Sequence, residues 1–161
     1  MDSSSPKSEL AVPIDRLYGP SAPDANWVPS PSFLLRRHRV LDYLETVPSG
    51  SLIEVGCGAG TLLFELSLRG FTCEALEASA SAAAIARAIA QGRYPLHTEA
   101  QSHWPGAFDY LMALEVLEHI ENDAEALNVW RDWLAPGGRA IISVPAHQHK
   151  WNASDEWAGH Y

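Results

Sequence analysis

Three groups of residues in this sequence have types and spacings that could do chemistry. The first is Glu54-Val55-Gly56-Cys57-Gly58-Ala59-Gly60-Thr61, an acid followed by glycines at alternate positions. Glycine lets the main chain turn sharply and lets a ligand lie against bare backbone. A helix starting at Thr61 would offer free N–H groups to a carboxylate or a phosphate. The second group is Glu77, about 20 residues beyond the turn, where a strand-end acid takes two ribose hydroxyls. The third is Glu115-Val116-Leu117-Glu118-His119, two carboxylates and an imidazole on one short turn. His119 is a candidate general base, and the three side chains together could hold a divalent cation.

The register of the glycines narrows the ligand. A dinucleotide fingerprint, G-x-G-x-x-G, would put its third glycine at position 61. Thr61 stands there, and the third glycine falls at Gly60. That spacing counts against a nicotinamide-dependent oxidoreductase, the rival enzyme class. A cofactor-binding or interaction module without turnover is the rival outside enzymes. A glycine turn alone is equally well only a tight turn, so the weight rests on the acids and strands downstream of it.

The elements that must position these groups can be read from hydrophobic period and chain breakers. Leu52 to Val55 predicts a buried strand, and Thr61 to Leu68 a helix with Thr61 as its cap. Phe71 to Leu76 predicts a second strand running into Glu77, and Ala80 to Gln91 an Ala-rich helix. Tyr94 to Thr98 predicts a weak third strand, with Glu99-Ala100-Gln101 after it. Phe108 to Leu114 is almost wholly apolar and predicts a strand buried on both faces. Asn122 to Leu134 predicts a helix with Ala124, Leu127, Trp130, Arg131 and Leu134 in period, stopped by Ala135-Pro136-Gly137-Gly138. Arg139 to Val144 predicts a fifth strand, and Ala146 to Tyr161 a polar, aromatic loop. Ahead of all these, Ser32 to Leu44 predicts a helix with Phe33, Leu34, Val40, Leu41 and Leu44 on one broad face. Its Arg36-Arg37-His38-Arg39 run is read as a solvated face. Strands alternating five times with helices predict an α/β fold with a doubly wound, mainly parallel sheet and helices on both of its faces.

Composition sets the outer bounds. A chain of 161 residues is about one domain. Its formal net charge of −9, from 11 basic and 20 acidic residues, weighs against a nucleic-acid surface and suits a cationic ligand. Cys57 and Cys73 are expected to be reduced thiols in a cytoplasmic protein. Met1 to Lys7 has no apolar core and is not read as a signal peptide. No run approaches the roughly 18 apolar residues of a membrane span, so no membrane partner is expected. Residues 1–30, rich in Ser and Pro, are expected to be disordered or arm-like, with Tyr18 and Trp27 able to close over a ligand or simply to pack. Residues 31–161 are expected to form the ligand-binding domain.

Four segments in this order resemble the class I S-adenosylmethionine-dependent methyltransferases. Glu54-Val55-Gly56-Cys57-Gly58-Ala59-Gly60 resembles the family's first motif, and Glu77 its strand-two acid. Phe108 to Leu111 with Glu115 to Ile120 is similar to the fourth-strand motif, and Leu134-Ala135-Pro136-Gly137-Gly138-Arg139 to the turn before strand five. The tail from Trp151 to Tyr161 is similar, more weakly, to an acceptor-loop segment of small methyltransferases. The resemblance implies a Rossmann-like fold, S-adenosyl-L-methionine as cofactor with S-adenosyl-L-homocysteine as product, and methyl transfer to an oxygen or nitrogen of a small-molecule acceptor. It implies that Gly56, Cys57, Gly58 and Gly60 approach the methionine part, with Glu54 near its ammonium. It also implies that Glu77, beside Ala78, binds the ribose, that Glu99 and Ala100 frame the adenine, and that Leu114 meets the amino-acid end through its main chain. His119 is the candidate base, ahead of His147 and His149. Relatives of this pattern are commonly metal-free, and no metal ligand is assigned.

The chain departs from the family where it stops. Members usually continue past strand five with a helix and an antiparallel hairpin, and only 17 residues follow Val144 here. The expectation is a domain truncated after its fifth strand. The alternatives are a homodimer, or a fold-back of Ala146–Tyr161, covering the sheet edge that would otherwise be unpaired. No Asp/Asn-Pro-Pro-Tyr motif comes after strand four, so a nucleic-acid acceptor is not expected.

Overall fold

A computed structural model of the chain describes residues 27–146 and 151–161. The arm expected over residues 1–30 falls almost wholly outside them, and so do His147 and His149. Trp27 is described, and it packs edge-on against Phe33 at 5.2 Å between ring centroids. Helix α1 (Pro31–Leu44) starts at Ser30, whose hydroxyl accepts the Phe33 N–H at 3.1 Å, with Pro31 at the first helical position, where its missing N–H costs nothing. Next come β1 (Ser51–Val55), α2 (Thr61–Leu68), β2 (Thr72–Leu76), α3 (Ala80–Ala90), β3 (Leu96–His97) and β4 (Phe108–Leu114). A 3₁₀ turn (Leu117–His119), α4 (Asp123–Trp133), β5 (Leu134–Ser143) and α5 (Ala153–Ala158) complete the order.

All five strands are parallel, in the spatial order β3-β2-β1-β4-β5. The chain moves outward from β1 to β3, returns past β1 to β4, and leaves a crevice at the carboxyl ends of β1 and β4, where open α/β sheets take their ligands. Alternation along β1 divides the core. Leu52 packs under α1, α2 and α3 with Leu41, Leu63, Ala86 and Met112. Ile53 and Val55 face the other way, onto Trp104, Phe108, Trp130 and Trp133.

The expected α/β sheet is therefore present, with local corrections. Thr61 does not cap α2: Gly60 occupies that position in the left-handed region, and Thr61 is the first helical residue and buried. Strand β3 shrinks to two residues. Pro95 has no N–H to give, and its carbonyl serves instead as acceptor for the Ala75 N–H at 3.0 Å. On α4 the buried stripe is Ala126, Trp130 and Trp133, while Leu127 lies in solvent and Leu134 has already joined the sheet. Ala135-Pro136-Gly137-Gly138 does not separate helix from strand. Phe108 pairs with Leu134 and Tyr110 with Arg139, so these four residues form a bulge inside β5. A Cβ at Gly138 would lie 2.8 Å from the Phe108 carbonyl oxygen, which explains a glycine there.

Two further expectations change. The tail is not all loop: Asn152 and Asp155 form a capping box that starts α5, and Gly159 ends it. The arginines of α1 are not simply solvated, because Arg36 reaches Glu115 and Arg37 donates through Nε to Glu65 at 2.8 Å. The outermost strand, β5, is exposed or half-exposed along its whole length. An apolar cavity of about 340 Å³ lies between β5 and α1, bounded by Leu35, Val40, Tyr43, Leu114 and Ile141.

Candidate functional site

The glycine turn is built by its own backbone. Gly56 and Cys57 both donate to the Leu76 carbonyl, at 2.8 and 3.3 Å, which ties the end of β1 to the end of β2. Gly60 then donates to the Cys57 carbonyl at 2.9 Å and starts α2. Gly56 has φ +66°, and a Cβ there would lie 2.5 Å from Val116 Cγ2. Gly60 has φ +70°, and a Cβ there would meet the Tyr94 hydroxyl, which donates to the Gly60 carbonyl at 2.7 Å. Gly58 differs: nothing lies within 4 Å of the Cβ position, so the turn presents open space at its apex.

Two acids flank that apex. Glu77, only 8% exposed, accepts the Gly58 N–H through Oε2 and the Ser79 N–H through Oε1, each at 2.8 Å. It thus fixes the turn from the neighbouring strand while keeping about half of a carboxylate's lone pairs unused. Glu54 lies buried under the turn on the α2–α3 face, and its Oε2 has no partner among the described residues. Burial first, and the Glu77 charge second, push its carboxyl up to about 8 from an ordinary 4.5. Cys73 is pushed up to about 12 by burial and then by Glu54, and Cys57 and Tyr94 are raised by burial as well, so both thiols are inert. Both cysteines are free.

The other expected residues lie along the same edge of the sheet. Ala78 comes after Glu77 at the surface, and Glu77 N–H donates to the His97 carbonyl of β3 at 2.9 Å. Glu99 and Ala100, just past β3, are exposed. Leu114 ends β4, half-buried, and Glu115 then takes φ +58°, its N–H on the Ser143 carbonyl at 2.9 Å.

The Glu115-x-x-Glu118-His119 turn is split by the fold. The Glu115 carboxylate turns to β5 and α1, accepting from Ser143 Oγ at 2.8 Å and facing Arg36 at 3.5 Å. Glu118 and His119 instead meet the tail: the Glu118 carbonyl accepts the Tyr161 N–H at 2.9 Å, and the His119 and His160 rings stand 4.9 Å apart. Partial burial raises the Glu118 carboxyl, with the Glu115 charge adding to it. Sequence reasoning meets Asp155 and His160 only within a tail similar to an acceptor-loop segment, and Tyr94 only as part of a strand, and it joins none of them to a partner. Tyr94 sits 34 residues from its partner Gly60, and His160 lies about 40 residues from His119, so no local spacing could have paired them.

Comparison with known proteins places the chain. A family model described as "Methyltransferase domain" matches residues 32–161. A ubiquinone biosynthesis O-methyltransferase of Caulobacter sp. (strain K31) is 32% identical over 100 residues, which are 58% of this chain and 40% of that protein. The protein of the same name from Sodalis glossinidius is 28% identical over 116 residues, 65% of this chain and 46% of that protein. The chain thus spans less than half the length of these curated relatives. Among solved structures, Haemonchus contortus phospholethanolamine N-methyltransferase 2, in complex with phosphomonomethylethanolamine and S-adenosylhomocysteine, superposes with a TM-score of 0.71 at 16% identity. That match covers 92% of this chain and 39% of the other, and it shares the fold.

Proposed function

The chain belongs to the methyltransferase-domain family, and from that premise we propose that it binds S-adenosyl-L-methionine at the glycine turn and delivers the methyl group to an oxygen or nitrogen of a small-molecule acceptor. The pair of acids at the turn carries this reading: Glu77 opposite Gly58, and Glu54 beneath it with an oxygen lacking a partner among the described residues. The residues fit the cofactor group by group. A buried carboxylate oxygen without a donor is costly unless a ligand supplies one, and the cofactor's ammonium is such a donor. The unused lone pairs of Glu77 suit the two ribose hydroxyls. The open space over Gly58 admits the chain of the methionine part. Ala78, Glu99 and Ala100 would border the adenine, and the main chain at Leu114 the amino-acid end.

The cofactor supplies a methyl group already activated by its sulfonium. What remains for the protein is to bind, orient and exclude water. Holding an acceptor in line with the S–CH₃ bond can be worth up to roughly 7–11 kcal/mol. His119, exposed at the mouth of β4, is the group of this chain best placed to take the acceptor's proton. The two curated relatives are named as O-methyltransferases, which favours oxygen as the accepting atom.

Partners follow from the same reading: a small-molecule acceptor, with neither nucleic acid nor membrane expected; no described helix is long and apolar enough to cross a membrane. A second copy of the chain over β5 is the homodimer alternative, which sedimentation analysis would detect. Two buried free thiols suit the reducing cytoplasm.

Equilibrium dialysis with labelled S-adenosyl-L-methionine tests the cofactor. Retention that S-adenosyl-L-homocysteine displaces and NADH does not is the expected result. Displacement by NADH, or no retention by a chain shown to be folded, would overturn the reading in favour of its oxidoreductase or non-catalytic rivals.

A further inference from the structure

Glu74, in the middle of β2, is a half-buried acid with no part in the chemistry proposed above. Its neighbours Cys73 and Ala75 pack into the α2–α3 face, so Glu74 emerges on the other face of the sheet. Its Oε2 accepts the Trp104 indole N–H at 2.8 Å and lies 3.1 Å from His97 Nε2, while its Oε1 lies 3.4 Å from His103 Nε2. An ionised carboxylate only accepts, so both imidazoles meet it through Nε2–H. Trp104 is fully buried, edge-on to Trp133 at 4.8 Å between ring centroids, and the His97 ring stands edge-on to Trp104 at 5.4 Å. Glu74 thus ties three side chains to a fixed core. They stand at the two ends of residues 98–103, the segment that carries Glu99 and Ala100. At the near end the His97 carbonyl accepts the Glu77 N–H at 2.9 Å, and at the far end the Trp104 N–H closes a turn on the Gln101 carbonyl at 3.2 Å. Among the described residues, no other side chain from outside the segment forms a hydrogen bond with it or with its two flanking residues.

We propose that Glu74 is a positioning residue for the base of the cofactor: by clamping both ends of residues 98–103 it holds Glu99 and Ala100 against the adenine and sets the preference for that base. The inference rests on the reading that an S-adenosyl cofactor binds at the glycine turn. The link to the ribose side is direct, because the His97 carbonyl at one end of the segment is bonded to the main chain of Glu77. A carboxylate at Glu99 can accept from the exocyclic amine of adenine and repels an oxo group in the same place. Glu99 is exposed, so its discrimination depends on how firmly the backbone beneath it is held. A group that must recognise a ligand works only within a small tolerance of its productive position, and its supporting bonds set that tolerance. Glu74 supplies those bonds from the neighbouring strand. It acts through the segment and not on the cofactor.

The test compares two probes on the full chain, S-adenosyl-L-homocysteine and S-inosyl-L-homocysteine, which carries an oxo group where adenine has its amine. The native chain should prefer the first by about tenfold or more. Glu74→Ala should weaken S-adenosyl-L-homocysteine by about tenfold, because the segment must then be ordered on binding, and should narrow the preference as well. Glu74→Gln, which keeps an acceptor for Trp104, should restore part of both. Glu74→Ala leaves a buried indole N–H without its acceptor, so a second variant guards against loss of the fold. His97→Gln with His103→Ala removes two of the three ties, leaves the bond from Trp104 to Glu74 in place, and should narrow the preference too. Circular dichroism verifies the fold of each. A residue that only stabilises the protein lowers the melting temperature and leaves the ratio of the two affinities alone. A ratio unchanged in folded Glu74→Ala, or in the double histidine variant, overturns the inference and leaves the cofactor reading standing, and so does a native chain that binds both probes equally. A folded native chain that binds neither probe overturns the cofactor reading, and this inference with it.

Discussion

The two sides of the crevice are built to different standards. On the β1–β2 side, the N–H groups of Gly56, Cys57, Gly58 and Gly60 all have partners inside the protein, two of these glycines sit against Val116 and Tyr94, and Glu77 locks the apex from the next strand. On the β4–β5 side, the outer strand is half in solvent, an apolar cavity opens between it and α1, and after β4 Glu118 and His119 meet the end of the tail, at Tyr161 and His160. On the proposed reading, the first side would recognise a ligand whose shape does not vary, so its backbone can be committed in advance. The second would meet the acceptor, and acceptors differ between members of one family. A rigid cradle beside a loosely built wall is what such a division of labour requires.

Substitutions can break that contrast, and the core strand should respond most. Leu111 of β4 is fully buried, so Leu111→Ala should cost about 2–5 kcal/mol of stability. Ile142 of β5 is 38% exposed, and Ile142→Ala should stay within about 1 kcal/mol. Urea midpoints for the pair measure the difference directly, and equal losses would mean that β5 is as well packed as β4. Gly56→Ala should come next. The left-handed backbone costs a Cβ about 1–2 kcal/mol, and the approach of Val116 adds to it. Gly56→Ala with Val116→Ala should recover the packing part and leave the backbone part.

Glu54 sharpens the comparison through pH. Its carboxyl is raised in the folded chain to about 8, so between about 4.5 and 8 the folded state holds a proton that the unfolded state has lost. The stability this contributes is fully present below about 4.5 and is lost as pH rises through 8. Thermal melts across that range should fall with pH, and Glu54→Gln should flatten the slope. A cation entering beside Glu54 favours its ionised form, so cofactor binding near neutral pH should release a proton. Titration in two buffers of different ionisation enthalpy detects it. The smallest effect expected is that of Arg36→Ala: its ion pair with Glu115 is partly exposed, and such pairs are worth about 0.2–1 kcal/mol.

How much of this is legible in the sequence depends on the range of the signal. The glycine turn, Glu77 and the apolar strands carry local signals, and the fold agrees with them closely. The helical period puts Trp130 of α4 on the right stripe but Leu127 and Leu134 on the wrong one, because the two tryptophans, three residues apart, dominate the burial. Pro136-Gly137-Gly138 reads as a stop and acts as a bulge, since β4 offers Phe108 as a partner that the sequence does not advertise. Glu115-x-x-Glu118-His119 looks like one unit, yet Glu115 turns away from the other two. His160 cannot be joined to His119 without knowing where the tail goes. Burial of Glu54 is likewise invisible, because an acid in a strand says nothing of what covers it.

The central claim is that Glu77 and the glycine turn form a site for an S-adenosyl cofactor. Calorimetric titration of the full chain with S-adenosyl-L-homocysteine, alongside Glu77→Ala and Glu77→Gln, tests it most directly. Hydrogen bonds to a charged group are worth about 1.5–3 kcal/mol each, so Glu77→Ala should weaken binding by at least about tenfold for each ribose bond lost. Glu77→Gln, which keeps an acceptor oxygen, should lose less. Binding that is saturable in the native chain and lost in Glu77→Ala is the predicted result. Binding indifferent to Glu77, or none in a chain whose fold is verified, would contradict the claim.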